Sequence, residues 1–451
     1  MSYTYVRDFT RGNITRQLVT FAWPLFLSNL LQVVYNMVDM VIVGHVLGKT
    51  GTSAVAVGGD VSSLMTFIAM GFSSAGQVLI AKYIGSKRTE KIGPFVGTMT
   101  GFLMACALSI SALALIFQDT ILHLMNTPAE AYEGAAAYSA ICMVGLVFIY
   151  GYNITSAILR GMGDSKHPFV FVGIAAMLNV VLDILFVIVL HLGPGGAALA
   201  TVISQAVSFI ACAVFLLRNK EKFALNVSLR DFIFWDRGML GSLVSLGAPM
   251  AIKSAAVQFS KLFVNSWINS YGVEISAFAG IANKISSIAN LVSNAMNTAG
   301  STMVGQNIAA HEYERVKKIL LRLATITLSI SGAISLFIIF CPEFLFSIFT
   351  DDAAVLSIAG GYVPIAVLLF LASALRSTMN ALINGSGNYR INFVTAIMDG
   401  IVMRVGLAVL FGLVLDMRHY GFWLGDAFAS FTPFWVGLVF YLTGLWKKQK
   451  D

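Results

Sequence analysis

The chain has 451 residues, 57% of them hydrophobic and only 11% charged, with a formal net charge of +7. That composition excludes an ordinary soluble domain, in which about a quarter of the residues are charged. It also excludes a disulfide scaffold, because the four cysteines show no paired or metal-binding spacing.

The opening "MSYTYVRDFTRGNITRQ" is polar and basic, and it runs into the first apolar stretch without the short apolar core and cleavage site of a signal peptide. Twelve apolar runs follow, at 18–47, 54–83, 93–117, 135–160, 168–191, 195–217, 242–271, 276–307, 317–340, 355–384, 391–415 and 420–446. Each matches the ~20 residues that one helix needs to cross a bilayer. With twelve spans, alternate loops share a side of the membrane. One side carries most of the Lys and Arg, among them Arg7, Arg16, Lys87, Arg88, Arg160, Arg230, Arg315, Lys318, Arg390, Lys448 and Lys450. The other holds only Lys49 and Arg418, beside Asp119, Glu130, Glu133, Glu343, Asp351, Asp352 and Asp416. The positive-inside rule then puts both termini in the cytoplasm. The basic excess is topology, and no nucleic-acid partner is expected.

Along the first span Gln32, Tyr35, Asn36 and Asp39 form a polar stripe at helical spacing, with Met37 and Met40 beside it. Asp60 lies in the second span, and Tyr138, Tyr150 and Asn153 in the fourth. In the fifth, "NVVLDILFV" places Asn179 one helical turn before Asp183, on the same face. The sixth adds Thr201, Ser204, Gln205 and Ser208. Asp39 precedes Gly48, and Asp183 precedes Gly193, by nine and ten residues. Both carboxylates therefore sit ~13–15 Å in from the outer ends of their spans. Charges at bilayer depth are costly and default to functional candidates. A carboxylate there is destabilised when ionised and can hold a proton near neutral pH. The neighbouring amide can bond either form or offer an oxygen to sodium. The ion-coupling candidates are thus Asp39, Asn179 and Asp183. The substrate-cavity candidates are Gln32, Tyr35, Asn36, Met37, Asp60, Tyr138, Tyr150, Asn153, Thr201, Gln205 and, from the second half, Gln258. The alternative for each carboxylate is a helix-packing hydrogen bond with no part in transport.

The chain repeats itself at about half its length. "AILRGMGDSKHPF" (157–169) aligns with "ALINGSGNYRINF" (381–393), both glycines included, and Pro24 aligns with Pro249. These features predict an all-α polytopic membrane protein: twelve transmembrane helices in two parallel six-helix repeats, residues 1–217 and 242–451, joined by a cytoplasmic linker at 218–241. Parallel repeats of this kind typify two-bundle secondary transporters. The halves differ in their charges. Asp183 aligns with Leu407 and Asp39 with Val264, so the carboxylate pair belongs to the first half alone. The second half carries Lys253, Lys261, Lys284, Arg376, Asp399 and Arg404 within its spans. Asp399 and Arg404 are candidates to pair, and the rest to pair or snorkel.

Enzyme motifs are missing: no Walker A, GxSxG or HExxH pattern occurs. Neither catalysis, nor a cofactor, nor a metal site is expected.

"WPLFLSNLLQVVYNMVDMVIVGHVLG", the "LRGMGDSKHP" loop, "NVVLDILF" and "GQNIAAHEYERVKK", in this order and over essentially the whole chain, resemble the multidrug and toxic compound extrusion (MATE) family. The resemblance implies a V-shaped pair of six-helix bundles exporting organic cations in exchange for protons or sodium, with the coupling site falling on Asp39, Asn179 and Asp183. The NorM-like branch carries carboxylates on helices seven and ten, near which this chain has Gln258 and Ser373. That departure favours a DinF-like mechanism and the proton over sodium. The expected function is therefore antiport of amphipathic, mostly cationic small molecules, by a monomer in the lipid bilayer. The other hypothesis is a flippase for a lipid-linked saccharide precursor, whose anionic head group would suit Lys253, Lys261, Lys284 and Arg376.

Overall fold

The computed structural model describes residues 5–223, 225–348, 350 and 352–448, without the side chains of 288, 289, 343 and 345. Asp351 and Lys450, and the side chain of Glu343, all part of the charge asymmetry above, lie outside the described residues. Among the described residues every regular element is helical. Ten helices among the described residues are long and apolar enough to cross a membrane, and the pair Ala129–Val144 and Leu146–Gly161, bent by 48°, forms an eleventh span. The twelfth comes from the first helix, Ile14–Gly85, whose 72 residues would measure roughly 110 Å, more than three times a hydrocarbon core. It is two spans, 14–47 and 49–85, broken where Gly48 takes φ 63° and ψ −156°, a conformation open essentially to glycine alone.

The remaining spans are Ile92–Ile116, a fifth that begins at Lys166, Gly193–Arg218, Arg237–Asn269, Val273–Ala309, Tyr313–Phe340, Ala359–Ser386, an eleventh that begins at Tyr389, and a twelfth formed by Arg418–Ala429 with Thr432–Leu442. The fourth bends at Gly145, where a Cβ would run into Val202 of the sixth span. Pro24 and Pro249 both sit inside helices.

The duplication is visible in local geometry. Lys87 and His311, 224 residues apart, both have φ 60°. Gly163 and Gly387, at the same offset, have φ 85° and 69°. A Cβ on Gly161 would lie 2.8 Å from the Gln77 carbonyl oxygen, and one on Gly385 would lie 2.8 Å from that of Ser301, again 224 residues on. Beyond the fifth span the offset becomes 225, since His191 (φ 51°) matches Asp416 (φ 49°) and Gly193 (φ 63°) matches Arg418 (φ 52°). The extra residue is taken up by a π-helical turn, Met398–Val402, whose place in the first half is plain α-helix. The counterpart of Asp183 is therefore Ala408, not Leu407, and that of Asn179 is Arg404.

The chain forms two compact units, one of residues 23–251 with the stretch ending at Asp8, the other of Phe9–Ala22 with Ile252 onward. In the first, the 218–241 stretch is packed down. Phe223 and Leu225 join a core with Phe95, Met99 and Tyr150. Gly93, Gly97 and Gly101, one turn apart, leave room for Asn226, Asp231 and Phe232 to close on the third span. Small residues at helical spacing let backbones approach in this way. In the second unit Phe278, Phe346, Tyr362 and Trp423 build an aromatic core. There the "GQNIAAHEYER" motif clasps the N-terminal stretch. Gln306 Oε1 accepts from the Phe9 amide at 2.8 Å. The Arg315 guanidinium donates to the carbonyls of Phe9, Arg11 and Gly12 and to Gln17.

Candidate functional site

The fifth span is α-helical through Lys166–Asp183 and π-helical through Ile184–Val189, so the helix widens directly after the carboxylate. Such turns are rare and gather at functional sites. Asp183 is 0% exposed and Asn179 2%. Neither oxygen of Asp183, nor either polar atom of the Asn179 amide, makes a hydrogen bond among the described residues. The amide–carboxylate bond that the sequence spacing permits is thus not made. Side chains four apart on a helix start about 5–6 Å apart at Cβ, and two short stems pointing the same way do not close that gap.

Asp39, part-exposed, also has a buried and unbonded oxygen, Oδ1. Its charge and that of Asp183 lie within range of one another. Tyr138 sits in the field of both, with Thr201 in hydrogen-bonding reach. Tyr35, one turn before Asp39, reaches Gln205 in the same way. The polar stripes of the first, fifth and sixth spans thus meet inside the first unit. Next to the carboxylates Gln32, Tyr35, Tyr152, Gln205 and Ser208 line a cavity of about 10 Å³, room for a single water at most.

The other cavity candidates do not line that small cavity. Asn36 and Asp60 are exposed, as are Met37 and Met40 at 50% and 58%. Tyr150 is fully buried and donates to the Met65 carbonyl at 2.8 Å, and the Asn153 amide donates to the Ile149 carbonyl at 2.8 Å. Both are spoken for by packing. Gln258 belongs to the second unit, where with Ser373 it lines a cavity of about 280 Å³.

The second unit handles its charges differently. Arg404, fully buried, donates to Asp399 Oδ1 at 2.9 Å and to Asp426 Oδ1. Asp399 and Arg404 are five residues apart. On an α-helix that separation points side chains well away from each other, and the π turn at Met398–Val402 brings them onto one face. Lys253 and Arg376 do not snorkel. Lys253 donates to Asn380 at 2.7 Å and Arg376 to Asn290 at 2.9 Å. Lys284 is exposed, and Lys261 lines the 280 Å³ cavity.

Asp426, which pairs with Arg404 and lines the cavity, is the carboxylate that the sequence analysis passes over. Its signal is the one that marks Asp183, a carboxylate inside an apolar run, "FWLGDAFASF". The π turns leave no mark in the sequence beyond the one-residue slip between repeats.

A family model described as MatE matches the chain twice, over residues 24–185 and 249–410. Probable multidrug resistance protein YpnP of Bacillus subtilis is 26% identical over 443 residues, 98% of each chain. YoeA of the same organism, also a probable multidrug resistance protein, is 27% identical over 445 residues, 98% of this chain and 96% of its own. A solved outward-facing multidrug resistance MATE family transporter superposes with a TM-score of 0.90 at 23% identity, covering 100% of both chains.

Proposed function

The chain belongs to the MatE family, whose members are transporters and not enzymes, and from that premise we propose that it is a drug-efflux antiporter. In this reading it exports amphipathic, mostly cationic compounds against an inward flow of protons, with Asp39, Asn179 and Asp183 as the coupling site. The names of its Bacillus relatives, both probable multidrug resistance proteins, agree with drug export.

The observation that carries the coupling role is Asp183, fully buried, with two unbonded oxygens in the field of a second carboxylate. Two ionised carboxylates repel strongly inside a low-dielectric bundle. A proton on one of them relieves that repulsion, and so does a nearby organic cation. The two occupants therefore compete for the same negative charge. Binding one weakens the hold on the other, and this differential affinity is what exchange requires. The Asn179 amide, with both its polar atoms free, can donate to an ionised Asp183 or accept from a protonated one. The proton is preferred to sodium because sodium needs several oxygens held around it, whereas a proton needs one. The absence of NorM-like carboxylates at Gln258 and Ser373 points the same way, toward a DinF-like type. The loop charges orient this monomer in the inner membrane with both termini cytoplasmic.

The test is efflux of a fluorescent organic cation such as ethidium from vesicles holding the purified chain. A pH gradient without sodium should drive it, and a sodium gradient at uniform pH should not. Efflux under sodium alone, unaffected by a protonophore, would overturn the choice of ion.

A further inference from the structure

One cavity of the second unit has no part in the coupling reading. The 280 Å³ cavity lies among the seventh, eighth, tenth and twelfth spans, near the lower end of the range for small-molecule sites. Its lining includes two cations, Lys261 and Arg376, with Asn290, Tyr362, Trp423 and Asp426. Asp426 is already neutralised by Arg404, which also holds Asp399. Around the cavity four cations, Lys253, Lys261, Arg376 and Arg404, thus face two carboxylates. Lys261 makes no ion pair or hydrogen bond among the described residues, although it lies in the field of Asp426 and of Arg376. Arg376 spends one N–H on the Asn290 carbonyl oxygen, and that same oxygen accepts from Ser373 at 2.9 Å. The amide end of Asn290 is left to donate. The cavity therefore offers an excess of N–H donors and of positive charge, with the Tyr362 and Trp423 rings beside them.

Unpaired cations at bilayer depth are costly and mark ligand pathways. Guanidinium and ammonium groups side by side are the usual means of holding an oxyanion. We propose that this cavity is a binding site for an organic oxyanion, a phosphate or carboxylate on an aromatic or aliphatic body, held between Lys261 and Arg376. The anionic group sits between the two cations and the Asn290 amide, and the apolar body lies against Tyr362 and Trp423. Such a site widens the range of transportable compounds beyond simple cations, to acids and to zwitterions. It does not depend on which ion drives transport.

The experiment is calorimetric titration of the full chain in neutral detergent, with no ion gradient. 1-Naphthyl phosphate and 1-naphthoate are the probes, and 1-naphthylmethylammonium is the cationic analogue. Both anions should bind, and the cationic analogue should bind no more weakly in Lys261→Gln and Arg376→Gln than in the wild type. Lys261→Gln and Arg376→Gln should each weaken anion binding at least about tenfold, as expected for losing one charge-assisted contact, while Lys261→Arg should retain it. Competition by short-chain phosphatidylglycerol, and not by inorganic phosphate, would assign the site to a lipid head group. Competition by inorganic phosphate alone would assign it to soluble organic phosphates. Wild-type protein that binds neither anion overturns the proposal, as does anion binding unchanged in both glutamine variants. The wild-type titration decides even if a variant fails to fold.

Discussion

A carboxylate inside a membrane helix is destabilised by several kcal/mol unless it is protonated, paired or hydrated, and the two units of this chain differ in whether they pair theirs. In the second unit Asp399 and Asp426 are paired by the buried Arg404. In the first unit Asp183 has no partner among the described residues. The pairs should therefore answer differently to mutation. Arg404→Met strands the buried Asp399 and the part-buried Asp426 and should destabilise the protein by about 3–5 kcal/mol, seen as a clear fall in Tm in detergent. Asp183→Asn removes an unpaired charge at almost constant volume, and the same holds for Asp39→Asn. Each should leave Tm unchanged or raised while abolishing ethidium efflux, the trade-off expected where function requires a strained group. Asn179→Ala should impair efflux less completely. Full efflux by Asp183→Asn would remove its coupling role. At this scale the sequence was informative where one charge interrupts an apolar run, as at Asp39 and Asp183. It was silent on what each charge touches. Asp399 and Arg404 could be matched because they share a helix, but Asp426 comes from another span, and only the tertiary fold adds it to the pair.

At the scale of the element, glycine does most of the shaping. Gly48 divides the first helix because its backbone conformation is barred to other residues, and Gly48→Ala should cost about 1–3 kcal/mol. Gly161 and Gly385 act instead by absence, each leaving room for a neighbouring helix backbone 2.8 Å from where a Cβ would be. Gly161→Val and Gly385→Val should both lower Tm, whereas Gly59→Ala, with nothing within 4 Å of an added Cβ, should change it little. Equal loss of Tm in all three would refute the close-approach explanation. Apolar length and the glycine breaks made most span boundaries legible, for instance 195–217 against the observed Gly193–Arg218. The π turns escaped because nothing in "ILFVIV" or "MDGIV" departs from α-helical composition. The tight seating of 218–241 escaped because a polar stretch between spans reads as a tether, and the glycines that receive it lie over a hundred residues earlier.

For the whole molecule, the repeat, the twelve spans and the family follow from one another. A unit of six spans, used twice, returns the chain to the side of the membrane on which it began. Loop charge then predicts that cysteines placed at Asp119 and Asp416 react with an impermeant thiol reagent from outside intact cells, and those at Lys87, Arg230 and Lys448 only after lysis. Labelling of position 87 from outside would invert the topology. The central claim is that proton and substrate compete for the Asp39–Asp183 pair, and proton release on substrate binding tests it most directly. Ethidium added to the purified chain in weakly buffered detergent solution near neutral pH should bind and release protons in proportion. The release should vanish in the Asp39→Asn, Asp183→Asn double variant. Saturable ethidium binding by the wild type with no proton release, or release undiminished in the double variant, would contradict the account.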